Sequence, residues 1–572
     1  MWVVLLIASW LIGYVIRYRS VLYTSKDLVK SFYFIAIFMI SMGFASLVTD
    51  VRYIALFGDT QRRNGLLTYL GFSIIFISAL MFFRTYNIQS LFTVTLFIAS
   101  VSAFYGGLQT TGNDFVDWKN SHNPLIGTQG NPNFSSAVMA IMAVILCSSV
   151  LLRSTSNLNK TICILVSLTL IFLIFRSNAR QGLLSFLIGV GVLQLIWIAG
   201  KNRKFGLIYT LVSLPILVLG ILGILQIGPL QNLLYKSSVT VRGYYWRAGW
   251  EMLKDNPLFG VGIDRYGAYF MEYRDVAYPL NYGFEITSSN AHNTFLQFFA
   301  TGGIFLGASY LLLTVWVFTR AIKGLRKLEG DSRLALAGLF SAWIAFHAQS
   351  FVSIDNLGVS IWGWVLSGSI IGVSTFESQN SNEARKVFSS RRNDFNLQRV
   401  LISGLITFLT IALVAVLYRG ENNTYKSAGS YNQQDQAAIA IFRSVQLRVA
   451  NTPLVDINYH LRSAQSLIQF GLVDEGIKVL DNVYQRDQRN LDTLKFLSLT
   501  YEYKNEFDKS IEYREKIVEL NPWDAPNYLQ LGLNYKKVGD TVKSSEMLNI
   551  LNSFSSGPNS APILEQAREQ LP

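Results

Sequence analysis

The sequence predicts an all-α protein, in which a polytopic membrane bundle of about twelve helical spans is followed by a C-terminal α-solenoid. Of the 572 residues, 51% are hydrophobic and only 15% are charged, whereas soluble domains carry about 25% charged residues. The hydrophobic residues form blocks that fill most of the chain up to about position 420, and the polar remainder repeats at a regular interval. These observations argue against one large soluble enzyme.

The apolar blocks are long enough to cross a bilayer, whose hydrocarbon core requires about 20 apolar residues in a helix. Basic residues follow the first block and none precedes it, which indicates an uncleaved anchor and not a cleaved signal peptide. The predicted spans are residues 1–17, 31–49, 65–83, 90–107, 134–152, 161–176, 182–199, 206–227, 295–319, 334–353, 357–375 and 399–418.

The lysines and arginines between the spans predict the orientation, because short cytoplasmic loops are enriched in them. One alternating set of loops contains 20 of these residues, and the opposite set contains 6. We therefore expect the first set to be cytoplasmic. The long loop 228–294 and the tail beyond about residue 420 would then be extracytoplasmic. Topology also accounts for the net charge of +13, so no nucleic-acid partner is expected.

Cysteine and histidine are too sparse for a disulfide framework or a common metal site. The two cysteines, Cys147 and Cys163, lie inside apolar segments and form no CxxC pair, and the chain has four histidines. The sequence therefore predicts no disulfide framework, no metal and no bound cofactor.

The tail divides into a polar linker and a repeat region. Residues 420–436 have the composition of a solvated linker, so the membrane domain is taken as 1–419 and the repeat domain as 437–560. A shift of about 34 residues brings small and aromatic residues of the tail into register, as it does Tyr501 and Tyr535. The pattern resembles tetratricopeptide repeats, which are helix pairs of that period. A protein partner of this domain is one expectation.

The long loop 228–294 is of a length that is usually functional in a compact protein. It contains VRGYYWRAGWEMLKDNP, which predicts an amphipathic helix that ends before Pro257. Arg242 and Arg247 on this helix offer planar, permanently protonated donors that suit a phosphate group. The alternative is an interfacial helix whose arginines meet lipid phosphates and whose tryptophans form an aromatic belt.

Two further arginines, Arg176 and Arg180, flank a short break between apolar spans on the predicted external side. Basic residues are disfavoured there by the charge rule. One interpretation is that they bind an anionic headgroup such as a lipid diphosphate. The other is that they are arginines at helix ends that extend towards water.

His292 is the candidate general base. It ends the long loop just before the next span, between Asn290 and Asn293, and an unperturbed pKa near 6.5 suits a proton acceptor at neutral pH. A purely structural hydrogen-bonding role is the alternative. His347 lies within a predicted span and is interpreted as a buried neighbour of the site. Asn133, in the turn-forming GNPNF, is interpreted as part of a cavity rim.

These segments, in this order, resemble the O-antigen ligase and O-antigen polymerase superfamily of bacterial membrane glycosyltransferases. The resemblance covers roughly residues 130–370. The matching segments are GNPNF, SNARQG, RGYYW leading to NPLFGVG, HN before FLQFFATGGIFLG, and QSFVSIDNLG with WGWVLSG.

The resemblance implies a fold of the lipid-linked-sugar glycosyltransferase type. Such enzymes take a glycan from undecaprenyl diphosphate at the outer face of the plasma membrane and pass it to a glycolipid, polysaccharide or protein. Carried over by position, Arg180 and Arg242 would hold the diphosphate, and His292 would be the general base, without a metal. The residues expected around the substrates are Arg247, Arg176, Asn293, Asn133 and His347.

Other functions stay open at this point. A polymerase that adds one repeat unit to another lipid-linked chain would share these segments. A lipid or polysaccharide transporter predicts ionisable groups within the spans, where they are sparse apart from Asp355 near a span end. A non-catalytic scaffold would not need a long loop that carries arginines and a histidine. An extracytoplasmic repeat domain favours transfer to a separate acceptor.

Overall fold

The computed structural model describes residues 1–60, 62–85, 88–118, 125–234, 237–375, 404–415, 443–444, 446–447, 457–554 and 558–572. Within these ranges the secondary structure is entirely helical, so the predicted fold class is confirmed to that extent. The predicted linker 420–436 lies outside the described residues. Of the last predicted span, 399–418, the structure describes the short apolar helix Gly404–Ala415.

The N-terminal part of the chain, as far as Thr375, contains sixteen described α-helices. They are α1 Trp2–Tyr18, α2 Lys26–Val48, α3 Arg52–Phe57, α4 Leu66–Thr85, α5 Gln89–Thr110, α6 Pro132–Val150, α7 Asn157–Arg176, α8 Arg180–Lys201, α9 Arg203–Ile224, α10 Gln231–Leu234, α11 Ser237–Asp255, α12 Tyr266–Tyr273, α13 Ala277–Tyr282, α14 Thr294–Lys327, α15 Gly330–Ser350 and α16 Leu357–Ser374.

Nine of the described helices are long and apolar enough to cross a membrane, which makes this a multi-pass membrane protein. The predicted number was about twelve. Helix α1 and the segment Gly404–Ala415 are apolar but shorter than the nine. Helix α15 is long enough, but His347 and Gln349 interrupt its apolar stretch. The membrane bundle is thus confirmed, and the count of twelve is not.

Helix α6 lies at the centre of the bundle, in contact with α7, α8 and α15. Almost all of its residues are buried, and small ones such as Ala137 and Ala140 allow neighbouring helices to approach closely. Gly189 of α8 faces the same centre, where a Cβ would lie 2.7 Å from Val144 and 3.0 Å from Ala345. This packing holds the start of α6, where GNPNF leads into the helix, at one end of the bundle.

Two of the segments that carry the resemblance contact each other where the long loop crosses α14. Helix α14 kinks at Gly303, which has a φ of 67°. The N–H of Ile304 donates to the carbonyl of Pro257 at 2.8 Å. A Cβ on Gly303 would lie 2.2 Å from the carbonyl oxygen of Leu258, so the position requires glycine. NPLFGVG and ATGGIFLG therefore form one backbone contact that fixes the loop on the bundle.

The amphipathic helix predicted in the long loop is confirmed as α11. It ends at Asp255, two residues before Pro257, and packs against α14 and α12. Its buried face includes Ala248 and Met252, which share a small core with Tyr266 of α12. The loop is therefore a folded layer with its own hydrophobic core.

The tail contains three helix pairs and a final helix. The first helices of the pairs begin at one constant interval along the chain, and the second helices begin at the same interval. The small residues Ala464, Ser498 and Ser510 are fully buried, and Ser544 donates to the carbonyl of Gly532 in the paired helix at 2.8 Å. After Gly404–Ala415 (α17), these helices are α18 Ile457–Gln469, α19 Val473–Arg486, α20 Leu491–Tyr503, α21 Phe507–Leu520, α22 Ala525–Lys537, α23 Thr541–Ser553 and α24 Ala561–Gln570.

The tail packs directly against the long loop. Leu280 and Phe284 of the loop belong to the same hydrophobic core as Tyr528 and Leu551 of the tail. The sequence predicted a tail set apart by a linker. The structure adds that tail and loop bury apolar surface together.

A buried ion pair joins the two parts. Both Nη atoms of Arg265, in the long loop, lie 2.7 Å from the carboxylate oxygens of Asp487, and Nη2 also lies 3.1 Å from Asp50. The side chains of Arg265 and Asp487 are 3% and 4% exposed. Burial alone would lower the pKa of Arg265, but the carboxylates of Asp487 and Asp50 raise it well above the usual range.

We expect Asp487→Ala to destabilise this junction by about 3–5 kcal/mol, because it leaves a buried guanidinium short of a counter-charge. The effect should lie near the lower figure, since Asp50 still contacts Arg265. The measurement is thermal unfolding of the full-length protein in detergent, together with proteolysis of the tail. Asp508→Ala, on an exposed part of α21, should change neither, and equal stability of the two variants would contradict the prediction.

Candidate active site

His292 lies in a tight turn between the long loop and α14. Its φ of 52° falls in the left-handed region, which a non-glycine residue keeps only when its surroundings enforce it. The His292 N–H donates to Asn290 Oδ1 at 2.9 Å, and the Ala291 N–H donates to Gln297 Oε1 at 2.9 Å. Asn293 caps α14 with its side-chain oxygen. These bonds fix the position of the imidazole.

A backbone carbonyl sets the tautomer of His292. Its Nδ1 lies 3.2 Å from the carbonyl oxygen of Asn290. Because a carbonyl can only accept, Nδ1 carries the proton and Nε2 keeps a free lone pair. Burial, and then the positive charges of Arg242 and Arg62, lower the pKa of His292 to about 4, while the bond to Asn290 opposes the shift. The ring is therefore neutral at pH 7, with Nε2 as a proton acceptor.

Arg242 is placed beside His292 by α11. The ring of Tyr245 lies 5.0 Å from the His292 ring, centroid to centroid, and Arg242 precedes Tyr245 by three positions, on the same face of the helix. Burial lowers the pKa of Arg242, whereas the nearby Tyr245 raises it. No carboxylate of the described chain acts on the pKa of Arg242. The guanidinium stays protonated and has no counter-charge there.

Three buried N–H groups at this place have no acceptor in the described part of the chain. They belong to Arg242 Nε, Trp246 Nε1 and Asn290 Nδ2. Trp246 follows Arg242 by four positions on α11, and Asn290 forms the turn of His292. Since buried donors are nearly always satisfied in folded proteins, these three are suited to a water or a ligand that supplies acceptors. An oxyanion such as a phosphate has that chemistry.

Arg62 is a second arginine of this site, and the sequence did not nominate it. Its Nε and Nη2 donate to Ser289 Oγ at 2.9 and 2.7 Å, three residues before His292. Burial lowers the pKa of Arg62, while nearby carboxylates, Asp264 foremost, oppose the shift. Arg62 and Arg242 thus approach the neutral imidazole from two different parts of the chain.

The segment that carries Arg62 is held from two sides. The carboxylate of Asp264, in the long loop, accepts the N–H groups of Asp59 at 2.7 Å and Asn64 at 3.3 Å. The Asn64 side chain donates to the carbonyl of Asp355 at 2.6 Å. Burial raises the pKa of Asp264 to about 7. Asp355, the ionisable residue near a span end, therefore anchors this segment to the start of α16.

The other predicted arginines lie elsewhere. Arg247 is exposed and forms an ion pair with Asp275 at 3.0 Å. Arg176 ends α7 and Arg180 begins α8, and both are exposed. None of the three is among the charges that act on His292. Their contacts with a substrate stay predictions.

The two remaining predicted residues lie on α15 and α6. His347 is buried on α15, with its ring 4.2 Å from that of Trp343 and 5.6 Å from that of Phe295, centroid to centroid. Phe295 belongs to the first turn of α14, so His347 lies behind the turn of His292. Asn133 is in the first turn of α6, where its N–H donates to Asn131 Oδ1 at 2.9 Å.

Sequence reasoning had one signal that pointed to Arg62. Arg62 and Arg63 are adjacent arginines on the predicted external side of the membrane, where the charge rule disfavours them, and the same argument selected Arg176 and Arg180. Arg62 entered only the prediction of topology. Its partner Ser289 is 227 positions away, and no local pattern predicts such a contact.

Two comparisons with known proteins bear on this site. Residues 164–311, about a quarter of the chain, match the family model described as O-Antigen ligase. The matched stretch begins in α7, contains the long loop with Arg242 and His292, and ends in α14. Arg62 and the tail lie outside it.

The second comparison is with a curated relative. Over 227 residues the chain is 24% identical to the teichuronic acid biosynthesis protein TuaE of Bacillus subtilis (strain 168), an alignment that covers 37% of this chain and 44% of that protein. The chain therefore spans less than half the length of this relative. Both findings support the O-antigen ligase superfamily, and neither concerns the repeats of the tail.

Proposed function

We propose that the protein is a glycosyltransferase of surface polysaccharide synthesis that moves a glycan from undecaprenyl diphosphate to an acceptor. The observation that carries the proposal is the group of unpartnered N–H donors of Arg242, Trp246 and Asn290 around a neutral His292. The O-antigen ligase match over this stretch and the printed role of the relative support it. The proposed acceptor is a glycolipid, polysaccharide or protein at the outer face of the plasma membrane.

In this proposal Arg242 and Arg62 bind the diphosphate. As the bond between the sugar and the diphosphate breaks, its electron pair moves to the phosphate oxygen. Donors already aimed at that oxygen stabilise the developing charge without reorganisation. Two arginines that have no ion-pair partner among the described residues suit this role. Arg180 is kept as the third proposed diphosphate ligand, from the resemblance alone.

His292 is the proposed general base. Its Nε2 would take the proton of the acceptor hydroxyl while the oxygen attacks the anomeric carbon, so that one displacement inverts the configuration. A base with a pKa of about 4 is weak, but a diphosphate beside it would raise the pKa towards neutrality, because a nearby negative charge favours the imidazolium.

The tail is proposed as a tetratricopeptide-like repeat domain outside the cytoplasm. Its helix starts advance by about 34 residues, the period of such repeats, and its small residues are buried. Because the tail packs on the long loop, we infer that it brings an acceptor or a protein partner to the site.

The proposed function is tested with the purified protein in liposomes that contain a lipid-diphosphate-linked glycan and a cell-surface acceptor. We expect glycan transfer with release of undecaprenyl diphosphate, and an approximately 10²–10³-fold slower reaction for Arg62→Met, in line with the loss of one transition-state donor. Arg52→Met, an exposed arginine in the same N-terminal region, should react normally.

The products of that assay separate the two members of the class. A ligase leaves one glycan on the acceptor, whereas a polymerase builds a ladder of repeat units on a second lipid-linked chain. Movement of the intact lipid-linked glycan across the bilayer, without cleavage of the diphosphate bond, would instead identify a transporter and defeat the proposal.

A further inference from the structure

A cavity of about 250 Å³ opens between the long loop and the tail. Its wall is built from three distant parts of the chain: the segment around Tyr53, the loop residues Asp264, Thr287 and Ser289, and the start of α20 with Asp492. The volume lies just below the range of about 300–1,000 Å³ that holds drug-sized ligands. A cavity of this size suits the end of a chain molecule.

The cavity borders the candidate active site. Ser289 belongs to its wall and accepts both hydrogen bonds from Arg62. The adjacent Ser288 donates to the carbonyl of Asn290 at 2.8 Å, the same carbonyl that contacts His292 Nδ1. One short segment thus separates the cavity from the proposed base, so a chain that ends in the cavity has its terminus near His292.

The charges of the described lining disfavour an anionic occupant. Each cation there is already paired with a carboxylate: Arg265 with Asp487, Arg489 with Glu272, and Lys495 with Glu285. In contrast, the Asp492 side chain is exposed and makes no ion pair within the described chain, and Asp264 accepts only backbone N–H groups. The lining therefore offers hydrogen-bond acceptors without a free positive charge.

A compound rich in hydroxyl groups suits such a lining, because each hydroxyl group can donate to a carboxylate. The ring of Tyr53 and the side chain of Met271 add apolar surface for the faces of a sugar ring.

We propose that this cavity binds the end of the acceptor glycan, and that it takes neutral or amine-bearing sugars and rejects uronic acids and phosphosugars. The proposal deepens the proposed function and rests on it, because the bound glycan is an acceptor only if the protein transfers a glycan. It gives the tail a defined part in the reaction, since one wall of the site belongs to α18–α20. The diphosphate of the donor stays on the other side, at Arg62 and Arg242.

The test is binding of the full-length protein, in lipid nanodiscs, to an array of neutral, amino and uronic-acid oligosaccharides. We expect binding to neutral or amino sugars, with at least a tenfold loss in Thr287→Trp, which fills the cavity from an exposed position. Thr541→Trp, exposed on α23 outside the cavity, should bind normally. Binding of uronic-acid sugars as tightly as neutral sugars, binding of no glycan, or equal binding by Thr287→Trp would each overturn the proposal.

A second arm separates this proposal from the proposed function. Arg242→Ala should keep glycan binding, because Arg242 does not line the cavity, and should lose the donor lipid. If the wild-type protein binds neutral glycans in a Thr287-dependent way but transfers nothing from a lipid diphosphate, the proposed function fails and the cavity remains a glycan site. If transfer occurs and Thr287→Trp leaves the acceptor KM unchanged, the cavity proposal alone fails.

Discussion

Arg242→Ala is expected to reduce transfer by at least about 10³-fold while the protein stays folded and inserted. Arg242 brings a permanent charge and, with Trp246, two of the three unpartnered buried N–H groups of the site. Loss of one preorganised donor to a developing oxyanion typically costs about 10²–10³ in rate, and the lost positive charge adds to this. Transfer is measured in liposomes, and donor binding is measured separately with the lipid diphosphate.

Arg242→Lys is the informative companion. Lysine keeps the charge but presents a point-like ammonium in place of the planar fork, so it should restore little activity. Arg247→Ala serves as the matched control, because it removes an arginine of the same helix that is exposed and paired with Asp275. If Arg242→Lys equalled the wild type, general electrostatic attraction would be sufficient, and the idea of a bidentate clamp would have to be given up.

His292→Gln is expected to lower turnover by about 10²–10⁴-fold, the usual contribution of general base catalysis. Glutamine can keep a hydrogen bond to the Asn290 carbonyl but cannot take a proton. Donor binding, which we assign to the arginines, should survive. A turnover within twofold of the wild type would show that His292 only positions the acceptor.

The pH dependence gives an independent test of the same role. The active form of His292 is the neutral ring, and its pKa in the free protein is about 4. The wild-type kcat/KM, which reports groups of the free enzyme, should therefore have a limb that falls as the pH drops through about 4. The corresponding profile of His292→Gln should lack this limb. A wild-type limb near 6.5 that His292→Gln removes would mean that the imidazole is solvated and not buried as the structure has it.

The sequence by itself determined the elements, because each depends on a pattern within one segment. Apolar blocks of about 20 residues can satisfy their backbone in a membrane only as helices, which predicted the bundle. The constant interval between similar residues of the tail predicted its helix pairs. Pro257 predicted the end of α11, and the HN pair before a span drew attention to His292. In each case residues close together in the chain carry the information.

Only the tertiary structure decided which of these elements meet. Arg62 reaches the turn of His292 across 227 positions through Ser289, and Arg265 reaches Asp487 across 222. Such pairs leave no periodic trace, because a contact between distant segments depends on how whole helices pack. The tautomer of His292, in contrast, is set locally by the carbonyl of Asn290, two residues away, in a turn where His292 has a positive φ. The assembly of the candidate site therefore follows from packing that the local sequence does not encode.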